Sequence, residues 1–170
     1  MSVILNQLRA ELTQNIDEKS RESTPRFFKE PVVYYGVHSA VVERIAKDYF
    51  NMIHSWPKET IFSLCEELWQ SQFLEETGIA SNWTYKLNKQ YQPEDIRVFE
   101  KWIDQYVTNW ASCDTFCNHS VGAYIEMFPD QITKLKEFAH SPNRWMRRAA
   151  LRYAIEKMPP DLRKEAMKKD

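Results

Sequence analysis

The chain predicts an all-α fold, and three observations lead there. Only three of its 170 residues are glycine, Gly36, Gly78 and Gly122, whereas a β-rich protein spends glycine at every tight hairpin. Apolar residues recur at helical spacing in one segment after another. Prolines fall mostly at the breaks between those segments. With 43% hydrophobic residues the chain has material for a real core and does not read as disordered.

Leu5, Leu8, Leu12 and Ile16 keep one stripe in a first helix. Pro25 to Pro31 is a short basic-aromatic stretch, and Tyr34-Tyr35-Gly36-Val37 makes a turn. Ser39 is placed to cap the helix bearing Val41, Val42, Ile45, Ala46, Tyr49, Phe50 and Ile53, which Pro57 ends. Ile61, Leu64, Cys65, Leu68 and Trp69 form the next stripe, then Leu74, Ile79, Trp83 and Leu87; Trp69 and Trp83 read as core. Pro93 suits the first position of a helix with Ile96, Phe99, Ile103 and Val107. Val121, Tyr124, Ile125 and Phe128 make another, Pro129-Asp130 turns the chain, and Ile132, Leu135 and Phe138 follow. Ser141-Pro142 reads as N-cap and first position of a helix through Trp145, Ala149 and Tyr153. Pro159-Pro160 ends it, and Leu162 to Met167 is a last helix.

That is about nine or ten short helices, pairing every 35–45 residues or so. The pattern fits loose HEAT-like stacking of helical hairpins into a curved α-α superhelix with a concave face; an irregular bundle is the rival packing. Without a visible linker, residues 1–170 read as a single helical-repeat domain.

The formal net charge of −1 argues against a generic nucleic-acid binder, but it averages two unlike parts. From Gln131 to Asp170 there are eleven Lys/Arg against five Asp/Glu; the rest of the chain has twelve against nineteen. The basic quarter fits an anion-binding face as well as a set of solvated helix surfaces. Three cysteines, no apolar leader and no membrane-length apolar run make a cytoplasmic location the expectation.

Cys113-x3-Cys117-x-His119 is a poor zinc signature, with no CxxC pair and no clear fourth ligand, and buried helical cysteines explain it more simply. A nucleophilic pairing of either cysteine with His119 has nothing visible to activate it. No phosphate-binding glycine loop, HExxH or GxSxG occurs. Neither metal nor cofactor is expected.

Trp102, Tyr106, Trp110 and Asp114 follow one another at i+4 steps, but Trp102 and Tyr106 belong to the preceding helix and its core side. Trp110 lies in a mostly polar stretch, Thr108 to Asp114, so Trp110 and Asp114 are the pair that fits a cleft; a Trp packed at a helix end with Asp114 as a cap is the plain alternative. A Trp face attracts a cation, and a carboxylate stabilises developing positive charge or orients a water. Arg147 and Arg148, in Arg144-Trp145-Met146-Arg147-Arg148, suit phosphate oxygens. A cationic, phosphate-linked, hydrolysable substrate matches all three parts, and an N3- or N7-alkylated purine in DNA is one.

These residues resemble the DNA alkylation repair family, the AlkD-like HEAT-repeat DNA glycosylases, from about Arg26 to Ile155. Pro25-Arg-Phe-Phe-Lys29 with Tyr35-Gly36-Val37 resembles the family's N-terminal segment and turn. Glu67-Leu68-Trp69 with Phe73-x-Glu75, Trp110-x3-Asp114, and Trp145-Met146-Arg147-Arg148-Ala149-Ala150 resemble three further motifs in order. The resemblance implies excision of cationic alkylpurines from double-stranded DNA without base flipping, by a monomer associated with the nucleoid. It implies Asp114 as catalytic carboxylate and Trp110 lining the lesion site. It also implies Arg148 on the backbone with Arg147 as helper, Phe27 in the same cleft where relatives often have Tyr, and Lys29 beside it in the basic-aromatic segment. His38-Ser39-Ala40 departs from the usual proline-containing helix opening, and Val42 stands where a basic residue is common. Relatives usually continue for several more helices, so the family's C-terminal repeats are expected to be missing here. The alternatives are a non-catalytic protein binding distorted or branched DNA and a protein-interaction scaffold.

Overall fold

A computed structural model describes residues 2–157. The chain is all-α, a curved superhelix of HEAT-like helical pairs, and no strand forms among the described residues beyond two isolated bridges, Ile16 to Val37 and Val33 to Phe73. The helix expected from Leu162 to Met167 lies outside the described residues.

The first part holds α1 (Val3–Gln14), α2 (Glu18–Ser23), a 3₁₀ turn (Thr24–Phe27) and α3 (Ser39–Ile53). The middle holds α4 (Lys58–Ser71), α5 (Leu74–Lys86) and α6 (Asp95–Tyr106). Then come α7 (Trp110–Phe116), a π-helical turn (Cys117–Val121), α8 (Gly122–Met127), α9 (Ile132–Ala139) and α10 (Arg144–Lys157). Neighbours pack as hairpins: α4 lies on α5 and α9 on α10, while α5 also meets α3 and α7. Gln72, at φ 59°, turns the chain between α4 and α5 in the left-handed conformation that commonly closes a helix. No helix among the described residues is long and apolar enough to cross a membrane.

One apolar cluster runs from Leu5 of α1 to Ala150 of α10. Its centre is aromatic: the Phe116 ring meets Trp69 and Phe99 edge-on, at 5.2 and 5.3 Å between centroids, a geometry that aromatic quadrupoles favour. Trp69, Trp83 and Trp102 are all fully buried. Trp102 therefore packs inward, and Tyr106 spends its hydroxyl on Glu66 at 3.1 Å.

Several helix boundaries fall elsewhere than the sequence pattern expects, each for a local reason. Ile16 lies past the end of α1, 39% exposed and bridged to Val37. At α3 the cap is His38, whose Nδ1 accepts from the Ala40 N–H at 3.3 Å; Ser39 is already helical. Pro93 precedes α6 rather than opening it, because the Asp95 carboxylate gathers the Gln92 N–H at 2.9 Å and the Lys58 ammonium at 2.8 Å. At α10 neither Ser141 nor Pro142 is in place: Asn143 Oδ1 accepts from the Trp145 N–H at 2.9 Å while its amide donates to Asp104. Val121 to Phe128 is no separate helix either, since α7 passes through the π turn directly into α8.

Lys58 and Asp95 form a buried ion pair between the openings of α4 and α6, with side chains 7% and 10% exposed. Removing one partner of such a pair strands the other charge. Lys58→Met is expected to cost about 3–5 kcal/mol in urea unfolding; a loss below about 1 kcal/mol would mean that water reaches Asp95 readily.

Candidate functional site

The site begins with a cap. Asn109 is buried, and its side chain accepts from the Ser112 N–H at 2.9 Å, the bond that starts a helix. Trp110 is thus the first residue of α7, and Asp114 stands one turn on along the same face. The opposite face, Ser112, Cys113 and Phe116, is buried, and the Ser112 hydroxyl is 2.8 Å from that of Thr77 on α5. The burial of Ser112, Cys113 and Phe116 is what keeps Trp110 and Asp114 off the core face of α7.

Trp110 is 39% exposed and links α7 to the N-terminal segment. Its ring stacks on Phe28, with centroids 5.6 Å apart and planes 26° apart, and its Nε1 donates to the Phe27 carbonyl at 3.2 Å. That fixes the backbone of Phe27 and leaves its ring 70% exposed. Phe27 edges a groove of about 1210 Å³ between the 3₁₀ turn, α3, α5 and the π turn, with Lys47, Lys86, Thr115 and His119 on its walls. Burial and the charge of Lys47 hold the Lys86 ammonium below its usual pKa, and Lys86 lies 4.8 Å from the centre of the Phe50 ring. The lining also places Glu43, Asp48 and Glu75 among Arg44, Lys47 and Lys86, so the groove presents mixed charge beside aromatic surface.

Asp114 faces α10. Arg148 clasps its carboxylate with two hydrogen bonds, Nε to Oδ1 at 2.7 Å and Nη2 to Oδ2 at 2.9 Å. Arg152, one turn further along, has Nε 3.4 Å from Oδ2, near enough for an ion pair but outside hydrogen-bonding geometry. The Asp114 side chain is 15% exposed, so the attraction is only partly screened by water.

The basic cluster of α10 divides three ways. Arg148 goes to Asp114. Arg147 donates to the carbonyls of Ser141 and Pro142 at 2.7 and 2.8 Å, away from Asp114. Arg144 pairs with Glu30 and lies 4.3 Å from the centre of the Trp145 ring. Lys29 is exposed on the segment after the 3₁₀ turn. Of the residues singled out by sequence, then, Trp110, Asp114, Arg148 and Phe27 form one connected site, and Arg147 and Lys29 stand at its margin.

Cys65, Cys113 and Cys117 are all free and buried. The Cys117 thiol is raised well above its usual pKa by its contact with Cys113 and by burial, so it stays protonated at neutral pH and is no nucleophile. His119 turns to the exposed side, against the Tyr85 ring at 5.4 Å. Among the described residues no three His, Cys, Asp or Glu side chains gather as a metal site.

Sequence reasoning passed over Arg152 and gave no role to Phe28 or Glu75, which it quoted only within motifs. Arg152 had a signal: Arg148-x3-Arg152 repeats the spacing of Trp110-x3-Asp114, so two helices present paired residues to each other. Glu75 had none, because its carboxylate serves a turn distant in sequence, accepting from the N–H groups of Tyr35, Gly36 and Val37 at 3.0, 2.8 and 3.1 Å.

Comparison with known proteins bears on the family and the fold. A solved structure described as a predicted DNA alkylation repair enzyme from Enterococcus faecalis is similar in fold, with a TM-score of 0.73 at 22% identity, over 92% of this chain and 74% of that one. No curated protein matches. The family model for DNA alkylation repair enzymes matches residues 8–167, a span that includes Phe27, Trp110, Asp114 and Arg148, and the chain belongs to that family.

Proposed function

We propose that the chain is a DNA glycosylase that hydrolyses the N-glycosidic bond of cationic N3- or N7-alkylated purines in duplex DNA. The observation that supports this best is the shared face of α7: a part-exposed Trp110 held against Phe27 and Phe28, with the Asp114 carboxylate one turn away beside Arg148. An alkylated purine already bears the charge that makes it a good leaving group, so little acid catalysis is needed. As the bond from C1′ to the ring nitrogen breaks, its electron pair leaves with the base, which becomes neutral. The sugar is left as an oxocarbenium ion, which Asp114 stabilises electrostatically. Water adds to C1′ and gives up a proton, to Asp114 or to solvent.

Trp110 presents its face to the cationic nucleotide, and Phe27 extends that surface. Arg148 grips a backbone phosphate, with Arg147 and Lys29 further out along the strand. A leaving group that is already cationic needs no deep base-reading pocket, which suits excision without flipping, unlike most base-processing enzymes. The protein acts as a monomer on nucleoid DNA and requires neither metal nor cofactor.

The test is release of 7-methylguanine and 3-methyladenine from methylated duplex DNA, followed by chromatography. Release above the spontaneous rate is expected, and its absence sinks the enzyme reading. One feature favours a second reading: the clasp of Asp114 by Arg148 also suits a carboxylate that only holds α7 to α10. A non-catalytic protein recognising distorted DNA then results, with salt-sensitive binding and no base release.

A further inference from the structure

Arg152 is the least satisfied charged side chain near the site. Its side chain is only 15% exposed, and its Nε is shut off from water with no hydrogen-bond partner. Buried polar groups are nearly always bonded, and one left unbonded calls for a reason. The neighbour that would satisfy it is Asp114 Oδ2, 3.4 Å away, an atom already taken by Arg148 Nη2 at 2.9 Å. One carboxylate thus stands before two guanidinium groups and bonds properly to only one.

A second state of the site removes this imbalance. Phosphate is the natural competitor for Arg148, because it offers the same planar fork the same pair of anionic oxygens. When Arg148 turns to phosphate, Asp114 loses both of its strong bonds. Arg152 comes from the same face of α10, one turn on. Closing by about 0.6 Å, with a turn of the guanidinium that aligns its N–H, brings Nε into a charge-assisted bond.

From this, and resting on the glycosylase reading above, we infer that Arg152 is a positioning residue: it takes over the Asp114 carboxylate when Arg148 engages the DNA backbone and keeps it aimed at C1′. In the free protein Arg148 covers the carboxylate; on DNA the two arginines divide the work, one on phosphate and one on Asp114. Without Arg152 the carboxylate has no partner while Arg148 holds the phosphate, and its alignment with C1′ is lost.

The experiment measures single-turnover release of 7-methylguanine from a duplex oligonucleotide. Alongside it, Kd is measured for the same duplex carrying a tetrahydrofuran abasic residue in place of the lesion. Arg152→Gln is expected to slow release roughly 10–100-fold, the usual range when the support of a functional group is removed, with Kd changed by less than about twofold. Arg152→Lys, which keeps the charge but not the fork, is expected to lose less, about three- to tenfold. If Arg152→Gln does not fold by circular dichroism, Arg152→Lys serves as the test on the same criteria. An unimpaired rate in an active background overturns this inference alone. So does a rate loss matched by an equal loss in Kd, which would make Arg152 a phosphate contact. An inactive wild type overturns the glycosylase reading, and this inference with it.

Discussion

Replacing Asp114 by Asn is expected to slow alkylpurine release about 10²–10³-fold while leaving duplex binding as tight as before or tighter. The rate loss is the size found when one preorganised electrostatic partner of a transition state is removed, about 2.7–4 kcal/mol. Asparagine keeps an oxygen near the reacting sugar but no negative charge to meet the oxocarbenium ion. The binding half of the expectation comes from the clasp. Arg148 bonds both carboxylate oxygens and Arg152 stands 3.4 Å from one of them; without the carboxylate both cations are more available to phosphate. The same change weakens the contact between α7 and α10, by about 1–2 kcal/mol for a pair that is buried but not sealed. Rate and affinity should therefore move apart. A variant with the wild-type release rate would remove Asp114 from the chemistry. A variant that loses rate and affinity together would instead point to a collapsed site.

The fold was legible because it rests on local rules. Helical spacing found the apolar faces of α3 to α6, and Trp69 and Trp83 went to the core as their stripes implied. The helix openings were less legible, since they are set by partners remote in sequence. Pro93 looked like the first residue of α6, but Lys58 and the Gln92 N–H draw Asp95 into that role. Pro142 gave way to Asn143, whose amide also reaches Asp104. At the site, spacing paired Trp110 with Asp114, and the Asn109 cap sets the helix phase that keeps both off the core face of α7. Spacing gave no hint that Arg147 would turn to its own loop while Arg148 turned to Asp114, because neighbours on a helix point about 100° apart and only packing decides which of them meets α7. The assignment of alkylated DNA came from the family motifs, and the family match over residues 8–167 agrees with them.

Glu75→Ala is expected to destabilise the protein as much as loss of Lys58 does, by about 3–5 kcal/mol in urea unfolding. Glu75 is buried at the start of α5, and its two oxygens accept three backbone N–H groups from the turn at Tyr35, Gly36 and Val37. That turn has no slack. Gly36 sits at φ +87°, and a Cβ there would lie 2.6 Å from the Cβ of Arg21, so the turn packs directly against α2. Alanine would leave three donors unmet, two of them buried. Glutamine separates the contributions: it keeps one oxygen for Gly36 and Val37 but turns an amide N–H toward that of Tyr35, so Glu75→Gln should cost less, about 1–2 kcal/mol. The effect should also reach the site. The segment that Glu75 fastens leads back along the chain to Phe28 and Phe27, which hold Trp110 by a stacked ring and a hydrogen bond. In Glu75→Gln the Trp110 fluorescence should shift toward that of a solvated indole before global unfolding begins. Equal stabilities for the two variants, or an unchanged spectrum up to the main transition, would show that the turn is held by packing and that the aromatic rim does not depend on Glu75.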